Sequence, residues 1–150
     1  MFALPRRTVL RASTLLPLAA LALATPAFAQ MATQGKKHRL IIQVTDNDPA
    51  RWTMVLNNTK NAQDDVGGAD KIDIEIVAYG PGINMLKSDS PVGPRIGELV
   101  KTGVVVVGCE NTMKNFKLEK SEMLPTIGYV PAGITELMKK QVEGWAYVRP

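Results

Sequence analysis

Val104-Val105-Val106-Val107-Gly108-Cys109-Glu110-Asn111-Thr112-Met113 is the stretch on which the architecture of this chain turns. Four successive valines and a glycine leave no polar face, the pattern of a strand covered on both sides in a parallel sheet. Asn111 to Phe116 then read as a helix with Met113 and Phe116 on one face. A strand running straight into a helix is half of a βα unit, and Cys109 lies at the junction. Open backbone N–H groups and the helix dipole favour an anion there, which lowers a thiol's pKa and makes it a nucleophile. Cys109 is the only cysteine in the chain, so no intrachain disulfide accounts for it.

Outward from that junction the alternation repeats. Arg39 to Thr45 is an apolar first strand. Asp48 caps and Pro49 opens a helix that runs to about Asp65, with Trp52, Val55, Leu56 and Thr59 on one side. Lys71 to Tyr79 is a second strand in which Asp73 and Glu75 alternate with isoleucines, the pattern of an edge or partly exposed strand. Gly80-Pro81-Gly82 is a tight loop, and Ile83 to Leu86 form a short helical turn. Pro94 to Thr102 is a helix and Thr126 to Val130 a short strand. Gly133 to Gly144 is a helix with Ile134, Leu137, Met138 and Val142 as its inward stripe. Trp145 to Val148 is the last strand. The pattern predicts a three-layer α/β domain, a mainly parallel five-stranded sheet flanked by helices. Right-handed crossovers put every strand's carboxyl end on one rim, where ligands bind in open sheets of this kind. Asp46-Asn47, the loop Gly80 to Asn84, Cys109 and Tyr129-Val130-Pro131 share that rim.

The amino-terminal segment reads differently. Arg6, Arg7 and Arg11 precede an apolar run from Leu15 to Ala24, long enough for a signal h-region and too short for a membrane span. Pro26 and Ala27-Phe28-Ala29 follow, so residues 1–29 are expected to be a signal peptide cleaved after Ala29, with 30–38 a flexible leader and 39–150 the domain. Arg6-Arg7 resembles a twin-arginine signal, and an ordinary Sec signal fits as well. Either route makes the mature protein periplasmic. Losing three arginines with the signal lowers the net charge from +4 to +1, which removes the case for nucleic-acid binding. No other apolar run is long enough to cross a bilayer, so no membrane association of the mature form is expected.

Cys109 is the expected catalytic residue; the competing reading is a small buried hydrophobe. Asn111 and Thr112 are substrate-binding candidates through their amide and hydroxyl, and equally good caps for the helix start. Gly82 and Asn84, with Gly80, are candidates for an anion nest beside the thiol, against an ordinary turn. That loop lacks the Lys-Ser/Thr ending of a phosphate loop. One histidine, His38, and one cysteine make no zinc site and no Cys–His hydrolytic centre, so neither metal nor cofactor is expected.

Cys109-Glu110-Asn111-Thr112-Met113, Met123-Leu124-Pro125, Gly128-Tyr129-Val130-Pro131-Ala132-Gly133 and Gly144-Trp145-Ala146-Tyr147-Val148-Arg149-Pro150 resemble the corresponding segments of the DsrE/DsrF-like family, notably its exported members. The resemblance implies a DsrE-like, flavodoxin-like topology and assembly into oligomers, here a homo-oligomer such as a trimer or hexamer. It also implies a persulfide carried at the position of Cys109. The expected partners are then a small sulfur donor or a thiol-bearing protein. The alternative is a non-catalytic oligomeric binding or scaffold protein in which Cys109 is inert. The best-understood relatives are cytoplasmic, so an export signal changes the set of available partners.

Overall fold

The computed structural model describes residues 37–150; the expected signal peptide, its expected cleavage point and most of the expected leader lie outside the described residues. Five strands, β1 (His38–Val44), β2 (Ile72–Ala78), β3 (Val105–Cys109), β4 (Gly128–Val130) and β5 (Ala146–Val148), form one sheet in the order β4-β3-β2-β1-β5. Every neighbouring pair is parallel. The layers are those expected. The strand order differs from the 2-1-3-4-5 of flavodoxin, because each of the first three connections steps one place in the same direction and only the last returns, past β1, to the opposite edge.

The helices are α1 (Pro49–Asp65), α2 (Gly93–Lys101), α3 (Glu110–Phe116) and α4 (Gly133–Val142). Asp48 caps α1 by accepting the Ala50 N–H at 2.9 Å, with Pro49 at the first position, as its sequence requires. The inward residues of α1 to α3, among them Leu56, Ile96 and Met113, pack on Ile42, Val44, Ile74, Ile76 and Val106 in one large core. The alternate residues Ile41, Val77 and Val107 point the other way and meet only Leu137 of α4, with Tyr79, Val130 and Trp145 around them. Three helices thus cover one face and a single helix covers the other.

Two expectations are corrected on that thinner face. β2 is central, between β1 and β3, and buried almost throughout. Its polar residues are neutralised: Asp73 pairs with Lys37, and the buried Glu75 carboxylate with Lys140 of α4 at 2.8 Å. A pattern of polar residues suggested water; the partner proved to be a lysine reaching in from α4. The stripe of α4 is also only partly inward. Leu137 is buried, while Ile134, Met138 and Val142 are exposed at 63%, 56% and 84%. One helix over a wide sheet has no neighbour to cover its flank.

Candidate functional site

The connection leaving β3 enters α3 on the crowded face, and the one leaving β4 enters α4 on the other. The two chains diverge at the carboxyl ends of adjacent strands, which opens a crevice there. Cys109 ends β3 at this point, in register with Val130 of β4. Its side chain follows the alternation of Val107 and so lies on the face of α4.

Cys109 is the N-cap of α3, and Ala132 is the N-cap of α4; neither supplies a capping side-chain bond. The open N–H groups of both helix starts are therefore available to another acceptor. Cys109, at the start of α3 and in register with the strand that leads to α4, lies where those groups open. Burial alone pushes the thiol up, but hydrogen bonds from the Thr112 hydroxyl and from the backbone N–H groups of Gly133, Thr112 and Asn111 outweigh it and hold the thiol below its ordinary value. These donors are all neutral. When protonated, the thiol makes only a long 4.0 Å contact to the Pro131 carbonyl, so the surroundings favour the ionised form.

Thr112 is buried, and its hydroxyl oxygen accepts the Gly80 N–H at 3.0 Å. With that lone pair engaged, the hydroxyl proton is left for the sulfur. Asn111 contributes its backbone N–H, which also reaches the Pro131 carbonyl at 3.2 Å; its side chain is exposed. Glu110, the one acid that would oppose a thiolate, turns away and pairs with Lys120 at 2.9 Å. That pairing lowers its own pKa.

Gly82 and Asn84 are not brought to the sulfur by any contact. A Cβ at Gly82 would stand 2.5 Å from the Val44 carbonyl oxygen, so glycine is needed there for close approach to the end of β1. The Asn84 amide donates to Asn47 at 3.3 Å, tying two rim loops together. Gly80 is the member of that loop that serves the thiol. His38 begins β1, at the amino end of the sheet, opposite the rim that holds Cys109. Among the described residues no group of His, Cys, Asp and Glu side chains is placed to hold a metal ion.

The sequence reading missed Gly133. Its signal was faint: a small residue opening a helix that has no capping side chain in front of it. Cys109 itself is buried, 5% exposed.

The DsrE/DsrF-like family pattern matches residues 38–150, the whole described domain apart from its first residue. The chain belongs to the DsrE/DsrF-like family. Members of this family are generally sulfur-relay proteins. Among solved structures, this DsrE/DsrF-like chain is similar to MTH1491 of Methanobacterium thermoautotrophicum, a protein of unknown function: 30% identity, TM-score 0.72, covering 76% of this chain and all of that one (100%). It shares its fold with BT1422 of Bacteroides thetaiotaomicron, also of unknown function, at 19% identity and TM-score 0.61, covering 75% of this chain and 94% of that one. It likewise shares it with ychN of E. coli at 8% identity and TM-score 0.58, covering 77% of this chain and 100% of that one. No curated protein matches the chain.

Proposed function

We propose that this DsrE/DsrF-like protein is an exported sulfur carrier that accepts a sulfane sulfur on Cys109 and hands it to a thiol. What carries the reading is the place of Cys109 at the N-cap of α3, in register with the strand that leads to the uncapped start of α4, with Glu110 turned away onto Lys120. The Cys109 thiolate attacks the sulfane sulfur of a donor R–S–S⁻ or thiosulfate. A new S–S bond forms, the donor's S–S bond breaks, and R–S⁻ or sulfite leaves with the bonding pair. The persulfide anion is held by the donors around Cys109. An acceptor thiolate then attacks its outer sulfur and Cys109 departs as thiolate, so no oxidant or reductant is consumed.

The signal-like segment 1–29 supports delivery to the periplasm, by the Tat or the Sec route. The apolar residues left exposed on α4 and β5, Ile134, Met138, Val142, Tyr147 and Val148, support a homo-oligomer. Family membership supports a small sulfur donor or a thiol-bearing protein as partner.

A second reading, an inert cysteine in a non-catalytic oligomeric binding or scaffold protein, draws on the 5% exposure of Cys109. One experiment separates them. Intact mass is recorded on the folded mature protein after treatment with polysulfide or thiosulfate. A gain of one sulfur atom that a reductant removes and Cys109→Ala abolishes supports relay. No adduct from either donor, with thiol labelling only after denaturation, supports the inert cysteine.

A further inference from the structure

We infer that Tyr79 and Gly80, the two residues that follow β2, are positioning residues that set both arms of the donor cradle around Cys109. Tyr79 determines where α4 begins, and Gly80 turns the Thr112 hydroxyl toward the sulfur. The inference rests on the reading of Cys109 as the sulfur acceptor and concerns how its surroundings are assembled.

Tyr79 is anchored before its side chain is considered, because its N–H donates to the Val44 carbonyl at 3.1 Å and ties it to the end of β1. Its ring lies against the first residue of α4. A Cβ built on Gly133 would stand 2.9 Å from Tyr79 Cδ1 and 3.1 Å from its Cβ and Cγ. These are the atoms of Tyr79 nearest its own backbone, in a side chain rooted beside a central strand, so they do not yield cheaply. Gly133 is not among the glycines with positive φ. Glycine at this position therefore answers a need for space and not for an unusual backbone. The bare helix start slides in against the ring, and that brings the Gly133 N–H to the sulfur. A larger residue at 133 displaces the first turn of α4 and with it that donor.

The second arm starts one residue later. Gly80 has φ +53, a left-handed conformation that favours glycine. It points its N–H at the Thr112 hydroxyl oxygen, 3.0 Å away. Thr112 is 8% exposed, which shields this bond from water. Burial above all pushes the Tyr79 phenol up, against a lowering by Arg149. The ring is thus neutral across the working range and acts as a spacer.

The test is the pH profile of Cys109 alkylation by iodoacetamide in the folded mature protein. Gly133→Ala is expected to move the profile upward and slow alkylation near pH 6 about tenfold, the equivalent of one pKa unit. Adding Tyr79→Ala removes the ring carbons and is expected to recover most of that loss, a rescue that a merely structural defect does not predict. Thr112→Val is expected to shift the profile in the same direction, with Thr112→Ser close to wild type. An ordinary thiol profile in the wild type overturns the reading of Cys109 itself. A low wild-type profile that Gly133→Ala and Thr112→Val both leave in place overturns the role of Tyr79 and Gly80 alone. Where Gly133→Ala does not fold, Tyr79→Ala and Thr112→Val decide the matter by the same profile.

Discussion

The two faces of the sheet are built on opposite principles. On one, α1, α2 and α3 close over a continuous apolar core in which Leu56, Ile74, Ile76 and Ile96 are fully or almost fully buried. On the other, α4 alone covers Ile41, Val77 and Val107 through Leu137, with only the partly buried Tyr79, Val130 and Trp145 beside it. Glu75 is held there by Lys140, which also lies 4.5 Å from the centre of the Trp145 ring and 3.7 Å from Glu136. A groove lined by Gln43, Ile134, Leu137, Met138, Val142 and Tyr147 runs beside the helix. The candidate thiol lies on this second, thinner face. The contrast teaches that the crowded face specifies the fold, while the sparse face leaves the junction of β3 and β4 to the uncapped starts of two helices.

The largest test of this contrast is Lys140→Met. Glu75 would lose its partner while buried, and removal of one member of a buried pair costs about 4 kcal/mol. The two members of this pair answer burial differently. For Glu75 burial is the leading cause and raises its pKa despite Lys140. For Lys140 burial lowers the pKa, but pairing with Glu75 and the nearby acids prevails and raises it. The difference follows exposure, since the Glu75 side chain is 5% exposed and that of Lys140 21%. A raised carboxyl pKa gives stability that is present below the unfolded value and lost as pH rises through the folded one. Urea denaturation is therefore expected to show the Lys140→Met deficit in full at alkaline pH and to show it shrinking as acid protonates Glu75. A deficit independent of pH would mean that the pair is not what holds α4 down.

Leu56→Ala probes the crowded face and is expected to cost about 3 kcal/mol by denaturation, with no change in thiol reactivity. Helix starts offer a sharper contrast. Asp48→Ala removes the cap of α1 and is expected to cost about 1 kcal/mol. Ala132→Asp places a cap where α4 has none, and also a carboxylate near the sulfur. It is expected to raise the melting temperature slightly while slowing Cys109 alkylation, which would mark the missing cap as part of the site. The smallest effect belongs to Met138→Ala, within about 0.5 kcal/mol for a dilute monomer. Paired with light scattering, the same variant tests the open flank: a drop in molecular mass from oligomer to monomer would show a second copy seated there.

Sequence periodicity succeeded where one partner determines each residue's environment. The apolar run before Cys109, the Asp48-Pro49 helix start and the inward side of α1 all depend on local geometry and one continuous core. It failed where the environment comes from a distant element. Glu75 reads as a solvent-facing residue until Lys140 is folded onto it, and Ile134, Met138 and Val142 read as core until α4 is found without a neighbour. Gly82 and Asn84 were reasonable candidates on the rim, but close packing against β1 and a bond to Asn47 occupy them.

Cys109 at a strand-to-helix junction, its isolation from any second thiol or usable histidine, and the alternating α/β order all follow from the residues in their order, because strand and helix periods and the reach of a few peptide units decide them. Which donors meet the sulfur is another matter. Gly133 and Gly80 come from opposite sides of Cys109 in the chain, and only the tertiary fold brings the start of α4 beside the sulfur and the end of β2 onto the Thr112 hydroxyl next to it. Hydrogen bonds depend on positions to within tenths of an ångström, and those positions are set by packing across the sheet.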